Sequence, residues 1–277
     1  MTTQIFLLGS TGMLGNYILK YLSNIVCIKC NAENDSFDDL KSNIKNLLNG
    51  QNVVLINCIG LIPQTGIIDD LKYIKINSIF PKYLDIICHE LDIKLIHITT
   101  DCVFNGGVLT PYDTPQIQRY DEDSIKDETG IYGMSKSLGE NLQNATIIRT
   151  SIIGETANGR INKSLLEWLK SNKSGTVNGF TNHYWNGVTC LQLAKIIDNI
   201  ITTNGYWNGV RHIYSPSVVS KYELICMLNE IYNLNINIVP VRSNSINKSL
   251  ISKYITPSIP ELDIEIQIKE MYNFGQF

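Results

Sequence analysis

The chain has 277 residues, 44% of them hydrophobic, and a formal net charge of −3. That length and apolar content can bury one large core, or a core with an annex. The mild acidity argues against nucleic acid as a bulk electrostatic partner, and no apolar stretch is long enough to span a bilayer. Of the seven cysteines, Cys27 and Cys30 stand three residues apart. Strand alternation would place them on opposite faces, so they read as free thiols in a reducing compartment and not as a metal or disulfide pair. The N-terminus runs directly into an apolar strand, which leaves no room for a signal peptide. A cytoplasmic protein is expected, or one in the host cytoplasm if the chain is viral.

Ile5-Phe6-Leu7-Leu8 reads as a buried parallel strand and Gly9-Ser10-Thr11-Gly12 as a turn. Met13 to Leu22 has helical spacing, with Leu14, Ile18 and Leu22 on one face. A strand, a glycine turn and a helix opening set free backbone N–H groups and the positive helix end against a pyrophosphate. Gly9, Thr11, Gly12, Met13, Leu14 and Gly15 are the expected cradle. The GxxGxxG spacing is one residue longer at its first gap than the dinucleotide fingerprint. A glycine turn without a ligand is the alternative. The second strand, Ile25 to Cys30, ends without the acidic residue that would grip the ribose hydroxyls of NAD. Asn31 follows, with Lys29 nearby. This favours NADPH over NADH, although no arginine is placed to hold a 2′-phosphate.

Val53-Val54-Leu55-Ile56 is a third strand. Lys94 to Asp101 is a fourth and ends in hydroxyls, so Thr100 would face the crevice at the carboxyl ends of the strands. A serine/threonine turn is the alternative use of that threonine. His97 reads as a packed core residue. From Asn105 to Thr129 the chain is polar, with Pro111, Pro115 and six acidic residues. This is expected to be a surface loop near the site, acting as a lid or inert.

Of 14 tyrosines, only Tyr132 is followed four residues later by a lysine, Lys136. A helix is expected over Ser135 to Asn141. Residues i and i+4 share a helix face, so the ammonium would lie beside the phenol and lower its pKa toward neutrality. Such a phenol donates a proton to a carbonyl oxygen under reduction. A surface tyrosine packed on a lysine stem is the alternative. Thr146 to Thr150 forms a further strand, and beyond Gly154 the alternation becomes irregular. Residues 1–154 are therefore expected to form a Rossmann-type α/β domain with a doubly wound parallel sheet. Residues 155–277 are expected to form mainly a smaller substrate domain, with the helix near 188–201 returning to the sheet.

Together these motifs resemble the extended short-chain dehydrogenase/reductases along the whole chain. Thr99-Thr100-Asp101-Cys102-Val103-Phe104-Asn105-Gly106 and Ile147-Ile148-Arg149-Thr150-Ser151-Ile152-Ile153-Gly154 are similar to nucleotide-sugar 4-keto reductases of the dTDP-4-dehydrorhamnose reductase type. Residues 164–169 and 175–182 further resemble reductases that form UDP-N-acetyl-L-rhamnosamine from a UDP-2-acetamido-2,6-dideoxy-4-keto-hexose.

The resemblance implies that Tyr132 donates the proton, Lys136 holds the nicotinamide ribose and Thr100 orients the carbonyl. It places Cys58, Ile59, Gly60, Thr99 and Ile152 along the cofactor and has Asn77 support the lysine. Cys102 sits where related bifunctional epimerase-reductases, such as GDP-fucose synthase, carry a proton-shuttling cysteine. Lys163 is its expected partner acid, and a small buried thiol is the alternative. Asp101, Arg160, Lys163, Asn178, His183, Trp185 and Arg211 are candidates for the sugar nucleotide. Trp185 or Tyr184 would stack on the base and a cation would meet the pyrophosphate. The nucleotide is UDP or dTDP, and a homodimer is the expected assembly. A non-catalytic NADP-binding regulatory protein is the alternative from another class.

Overall fold

The computed structural model describes residues 3–50, 52–107, 119–156, 164–254 and 262–275. The chain opens as β1 (Gln4–Leu8), α1 (Met13–Tyr21), β2 (Ile25–Ile28), α2 (Phe37–Asn46) and β3 (Val53–Asn57). It continues through α3 (Asp70–Ile74), one π-helical turn at Lys75–Ile79, α4 (Phe80–Glu90), β4 (Lys94–Thr100), α5 (Ile131–Gly139) and β5 (Ala145–Thr150). Next come β6 (Ile152–Ile153), α6 (Leu165–Ser171), β7 (Thr176–Phe180), β8 (His183–Trp185), β9 (Val188–Thr189), α7 (Cys190–Thr202) and β10 (Gly209–His212). The C-terminal part holds β11 (Val219–Ser220), α8 (Lys221–Ile231), β12 (Asn237–Val241), β13 (Ile246–Asn247) and α9 (Ile264–Gly275).

Six strands form one parallel sheet in the order β10-β5-β4-β3-β1-β2. The strand order reverses between β1 and β3, and a crevice opens at such a point at the carboxyl ends of the strands. Strand β1 is apolar on both faces because both are covered. Ile5 and Leu7 join Leu14, Ile18 and the α7 residues Leu193 and Ile197, while Phe6 and Leu8 join Leu40, Ile44, Leu84 and Ile87. Burying each of these side chains stabilises the fold by roughly 1.5–3 kcal/mol. The first of these clusters also takes in Leu224, Ile225, Ile264 and Met271 from α8 and α9.

Local signals explain where the helices begin. Ser36 caps α2, its hydroxyl accepting from the Asp39 N–H at 3.1 Å, with Asp38 and Asp39 in the first turn. Thr189 caps α7 in the same way. The α7 helix runs within two residues of the expected span and packs with α1 over the sheet.

Helix α5 differs from expectation. It begins at Ile131, four residues early, and ends at Gly139, so Tyr132 lies in its first turn. Ile131-Tyr132-Gly133 has weak helix propensity, which hides the start. The Glu128 carboxylate nevertheless accepts from the N–H groups of Thr129 and Gly130, at 3.0 and 2.9 Å, and lies at the positive helix end. Strand β4 ends at Thr100, and Asp101 opens a short 3₁₀ turn through Val103. Strand β2 ends at Ile28, two residues short of the expected Cys30.

Three small sheets complete the fold: β11-β8-β13, β12-β7 and β6-β9. The backbone N–H of Asn247 donates to the Gly106 carbonyl at 2.9 Å, so β13 is tied to the segment that follows the 3₁₀ turn.

Candidate active site

The turn after β1 is shaped by close approaches. Gly9 has φ +80°, a left-handed conformation that suits glycine, and a Cβ on it would lie 3.0 Å from the backbone of Cys58 and Ile59. A Cβ on Gly15 would overlap the Gly9 carbonyl. The α1 helix therefore sits tight against β1, and the exit of β3 passes directly beside the glycine turn. Gly12 is the N-cap, with no side-chain cap and no acidic residue in the first turn. The first N–H groups of α1, including those of Met13 and Leu14, have no intrahelical acceptors, an arrangement that receives an anion. Thr11 is exposed at the tip. The expected cradle residues are thus together.

Beyond β3, the Ile59 N–H donates to Asn57 Oδ1 at 3.0 Å, and the Asn57 amide donates to His97 Nδ1 at 3.1 Å. Asn77 lies on the π-helical turn, fully buried. Its side chain accepts from the Leu61 N–H at 2.8 Å and donates to the Leu61 carbonyl and to Ser135 Oγ. It clamps the Cys58–Leu61 segment to α5. Gly60 packs against Lys136, since a Cβ there would lie 2.5 Å from Nζ.

Lys136 is 6% exposed. Burial lowers its pKa to about 8, while the carboxylate of Glu140 and the Cys58 thiol act in the opposite direction. Burial likewise pushes the Cys58 thiol up to about 12, against the pull of Lys136. His97, 1% exposed, is pushed down to about 3 by burial and then by Lys136, and is neutral. It is a core residue beside the lysine.

Thr100, Asp101, Cys102 and Tyr132 meet at the end of β4. The Thr100 hydroxyl donates to Asp101 Oδ1 at 3.2 Å and accepts from the Cys102 N–H at 3.1 Å. Thr100 also acts on the Tyr132 phenol, in the direction that lowers its pKa. A Cβ on Gly133 would overlap the Cys102 carbonyl, so the first turn of α5 rests directly on this segment. The Tyr132 ring meets Tyr73 edge-on at 6.4 Å.

The sequence reading has Lys136 lower the tyrosine pKa. Instead, the phenol lies above its ordinary value: burial dominates, Cys102 and Asp101 add to the rise, and Thr100 opposes it. The expected general base is also protonated, because burial and Asp101 push the Cys102 thiol up to about 12. Asp101, 3% exposed, is itself raised by burial, with Lys221 and Lys248 pulling it down.

An ionic network lies behind the site. Glu140, one turn beyond Lys136, accepts from Arg149 Nε at 2.9 Å and Nη2 at 2.6 Å, and from the Thr99 hydroxyl at 3.0 Å. Arg149, 2% exposed, also donates Nη1 to His212 Nε2 at 2.8 Å, and His212 Nδ1 donates to the Ile251 carbonyl at 2.8 Å. Burial, and then the arginine beside it, lower the His212 pKa, against the pull of Glu122. This network joins α5, β4, β5 and β10. A charged residue inside the apolar run 147–150 was the available signal, and sequence reasoning did not use it.

Several of the predicted contact residues lie apart from the cluster of Thr100, Asp101, Cys102 and Tyr132. Trp185 is 3% exposed, inside the larger apolar cluster with Lys221 Nζ 5.4 Å from its ring centroid, so neither face is open to a base. Arg211 is held between the rings of Trp207 and Tyr254, 4.7 and 4.8 Å from their centroids. His183 stacks on Phe180 and bonds Ser243. Asn178 is exposed on β7, which pairs with β12 and not with the main sheet. Ile152 lies half-buried on β6 beside β9. Arg160 and Lys163 lie outside the described residues. After β2, Asn31 is tied into its own turn: its N–H donates to Asp35 at 2.7 Å and its side chain accepts from Glu33. A carboxylate absent from the strand end thus returns to it from four residues on.

Known proteins share this architecture. A dTDP-4-dehydrorhamnose reductase from Bacillus anthracis, solved in complex with NADP, superposes with a TM-score of 0.80 at 18% identity over 99% of both chains. The Clostridium acetobutylicum dTDP-4-dehydrorhamnose reductase gives 0.77 at 18% identity over all of both chains. The Bacillus subtilis spore coat polysaccharide biosynthesis protein SpsK is 39% identical over 85 residues, which is 29% of this chain and 27% of that protein. The sequence family described as the RmlD substrate binding domain matches residues 3–251, and the chain belongs to that family.

Proposed function

We propose that the chain is an NADPH-dependent reductase of a nucleotide-linked 4-keto-6-deoxy sugar. The observation that carries this reading is the meeting of Thr100 and Tyr132 at the end of β4, with Lys136 against the β3 exit that also borders the uncapped α1. A dinucleotide fits there: the free N–H groups of α1, with no side-chain cap and no acidic residue in the first turn, suit its pyrophosphate. Gly9 to Gly15 would hold that group, and the 58–60 segment and Lys136 would border its nicotinamide half. When bound, the reduced nicotinamide supplies a hydride.

The remaining chemistry belongs to side chains. Thr100 orients the carbonyl through its hydroxyl. Tyr132 gives its proton to O4 as C4 receives the hydride, which leaves an alcohol and a phenolate. Lys136, one turn further along the same helix, would hold the nicotinamide ribose. The elevated pKa of the phenol in the free protein means the proton is in place before substrate arrives.

At the finer level, the substrate is a UDP-2-acetamido-2,6-dideoxy-hexos-4-ulose and the product UDP-N-acetyl-L-rhamnosamine. The dTDP-4-keto-6-deoxy sugar is the runner-up, in line with the Bacillus anthracis and Clostridium acetobutylicum relatives. Residues 1–154 serve the dinucleotide and 155–277 mainly the sugar nucleotide. The absence of a carboxylate at the last residue of β2 supports NADPH. The protonated state of Cys102 weighs against 3-epimerisation by a thiolate. Exposed Ile86, Met134 and Leu138 on α4 and α5 support a homodimer.

The test is NADPH oxidation with the UDP-acetamido and the dTDP ketosugars offered side by side in deuterated water. Turnover on the UDP sugar alone fixes the branch, and deuterium at C3 adds epimerisation. Cofactor binding without turnover on either sugar returns the regulatory-protein reading.

A further inference from the structure

Glu128 is the last acidic residue of the polar segment 105–129, and it lies against the helix that carries Tyr132. The N-cap of α5, Gly130, has no side chain to close the helix start. Glu128 Oε1 gathers the N–H groups that lead into the helix, accepting from Thr129 at 3.0 Å and Gly130 at 2.9 Å. The stem of the same side chain fills the space beside Gly133, where a Cβ would overlap both Glu128 Cγ and the Cys102 carbonyl. The backbone ties this stretch to the turn after β4. The Glu128 N–H donates to the Val103 carbonyl at 3.2 Å, and the Asn105 N–H donates to Asp127 Oδ1 at 2.8 Å. The second carboxylate oxygen, Oε2, accepts from Lys248 Nζ at 3.5 Å. Lys248 follows β13 directly, and its backbone N–H donates to the Tyr184 carbonyl of β8 at 3.3 Å. Its stem lies along Gly106, where a Cβ would be 3.0 Å from Cγ and 3.2 Å from Cε.

We propose that Glu128 is a positioning residue for the Tyr132 proton donor, and that Lys248 holds Glu128 in that position. This rests on the reductase reading above. Tyr132 is the second residue of α5, so its phenol goes where the first turn of that helix goes. The Cys102 carbonyl supports that turn at Gly133, and the Glu128 side chain fixes it both there and at the N–H groups of residues 129 and 130. The two carboxylate oxygens divide the work, one on the backbone and one on the lysine. The Lys248 and Glu128 side chains are 22% and 26% exposed, so their ion pair by itself adds little stability. Its effect is geometric: it sets the direction from which Oε1 meets the helix start. A displaced first turn carries the phenol away from O4, and proton transfer slows steeply with such misplacement. By this route the sheet that holds β13 bears on the proton donor, more than 100 residues earlier in the chain.

Glu128→Ala removes both halves of the contact, Glu128→Gln keeps the acceptor and drops the charge, and Lys248→Met acts on Glu128 without altering α5. In Glu128→Ala, kcat for the ketosugar is expected to fall about 10- to 100-fold, with NADPH affinity within about twofold of wild type. The solvent deuterium isotope effect on kcat should rise, because proton transfer becomes limiting. Glu128→Gln should recover most of the loss. Lys248→Met should lose about 3- to 10-fold with the same rise in isotope effect, and it carries the test if Glu128→Ala does not fold. Hydrogen exchange of the cofactor-free protein needs no turnover: amides of residues 128–139 should exchange about tenfold faster in Glu128→Ala and Lys248→Met, with those of β1 and β3 unchanged. An isotope effect at the wild-type value in the folded variants overturns the proposal, whether or not kcat falls, and so does wild-type exchange over 128–139. If the wild type reduces no ketosugar while exchange rises in the variants, the reductase reading falls and the link from Lys248 through Glu128 to α5 stands.

Discussion

At the β1–α1 turn the chain offers main-chain N–H groups, shaped by Gly9 and Gly15 within a dozen residues of one another. At the turn after β4 it offers side chains collected from distant places: Thr100 and Asp101 from the strand exit, and Tyr132 from α5, whose first turn rests on the Cys102 carbonyl. The first region is rigid because backbone geometry leaves no alternative. The second is held by side-chain hydrogen bonds around Thr100 and by the packing of α5 on the turn. A contiguous site tolerates change in its side chains, while an assembled one is sensitive to single substitutions far away in sequence.

That contrast can be broken by mutation. The largest effect is expected at the assembled turn itself, where Tyr132→Phe removes the proton donor. Steady-state kinetics should show kcat/KM lowered about 10²- to 10⁴-fold, with NADPH affinity nearly unchanged. A variant that keeps most of its activity would show that the proton comes from elsewhere.

Glu140→Gln tests the network behind the turn. It leaves Arg149 buried without its bidentate partner, and urea denaturation should register a loss of roughly 3–5 kcal/mol. A loss near zero would mean that His212 and the Phe104 ring, 5.2 Å from the guanidinium carbon, suffice to hold the arginine.

A smaller effect is expected in the pH dependence of cofactor binding. Lys136 is an ammonium below about 8 in the folded chain, so NADPH affinity should decline as pH rises through that value, and Lys136→Met should flatten the decline. The stability linkage has the opposite sense. Between about 8 and the ordinary lysine value of 10.5, the unfolded chain binds the proton that the folded chain has lost, so this group makes stability rise with pH there. Titration calorimetry and denaturation at matched pH separate the two. The smallest effect belongs to Asn178→Ala on exposed β7: stability within about 0.5 kcal/mol and an unchanged KM. A KM raised tenfold would bring β7 back to the substrate.

The same contrast explains what could be read in the sequence. The strand-turn-helix at residues 4–21, the strands at 53–57 and 94–100 and the return of α7 carry periodicity and glycine punctuation, which local physics makes visible. The spacing of Tyr132 and Lys136 was visible for the same reason, although the helix start was masked by Gly133 and a β-branched neighbour. Trp185 and Arg211 were singled out because aromatic and cationic types suit a nucleotide, and their packing, one in the core and the other against two rings, was not legible in the sequence.

Strand β10 has a consequence for how this protein is made. It pairs along β5 from Gly209↔Thr146 to His212↔Arg149, and β5 is buried at every residue. Until residues 209–212 leave the ribosome, an apolar strand with a row of unpaired backbone groups stands at the rim of an otherwise finished sheet. Such a rim is a template for joining another chain. The nascent protein therefore passes through a stage in which its greatest hazard is a neighbouring copy, and β10 closes that stage. Arg149 meets His212 in the same step, so completing the sheet also completes the ionic network behind Thr99 and Lys136.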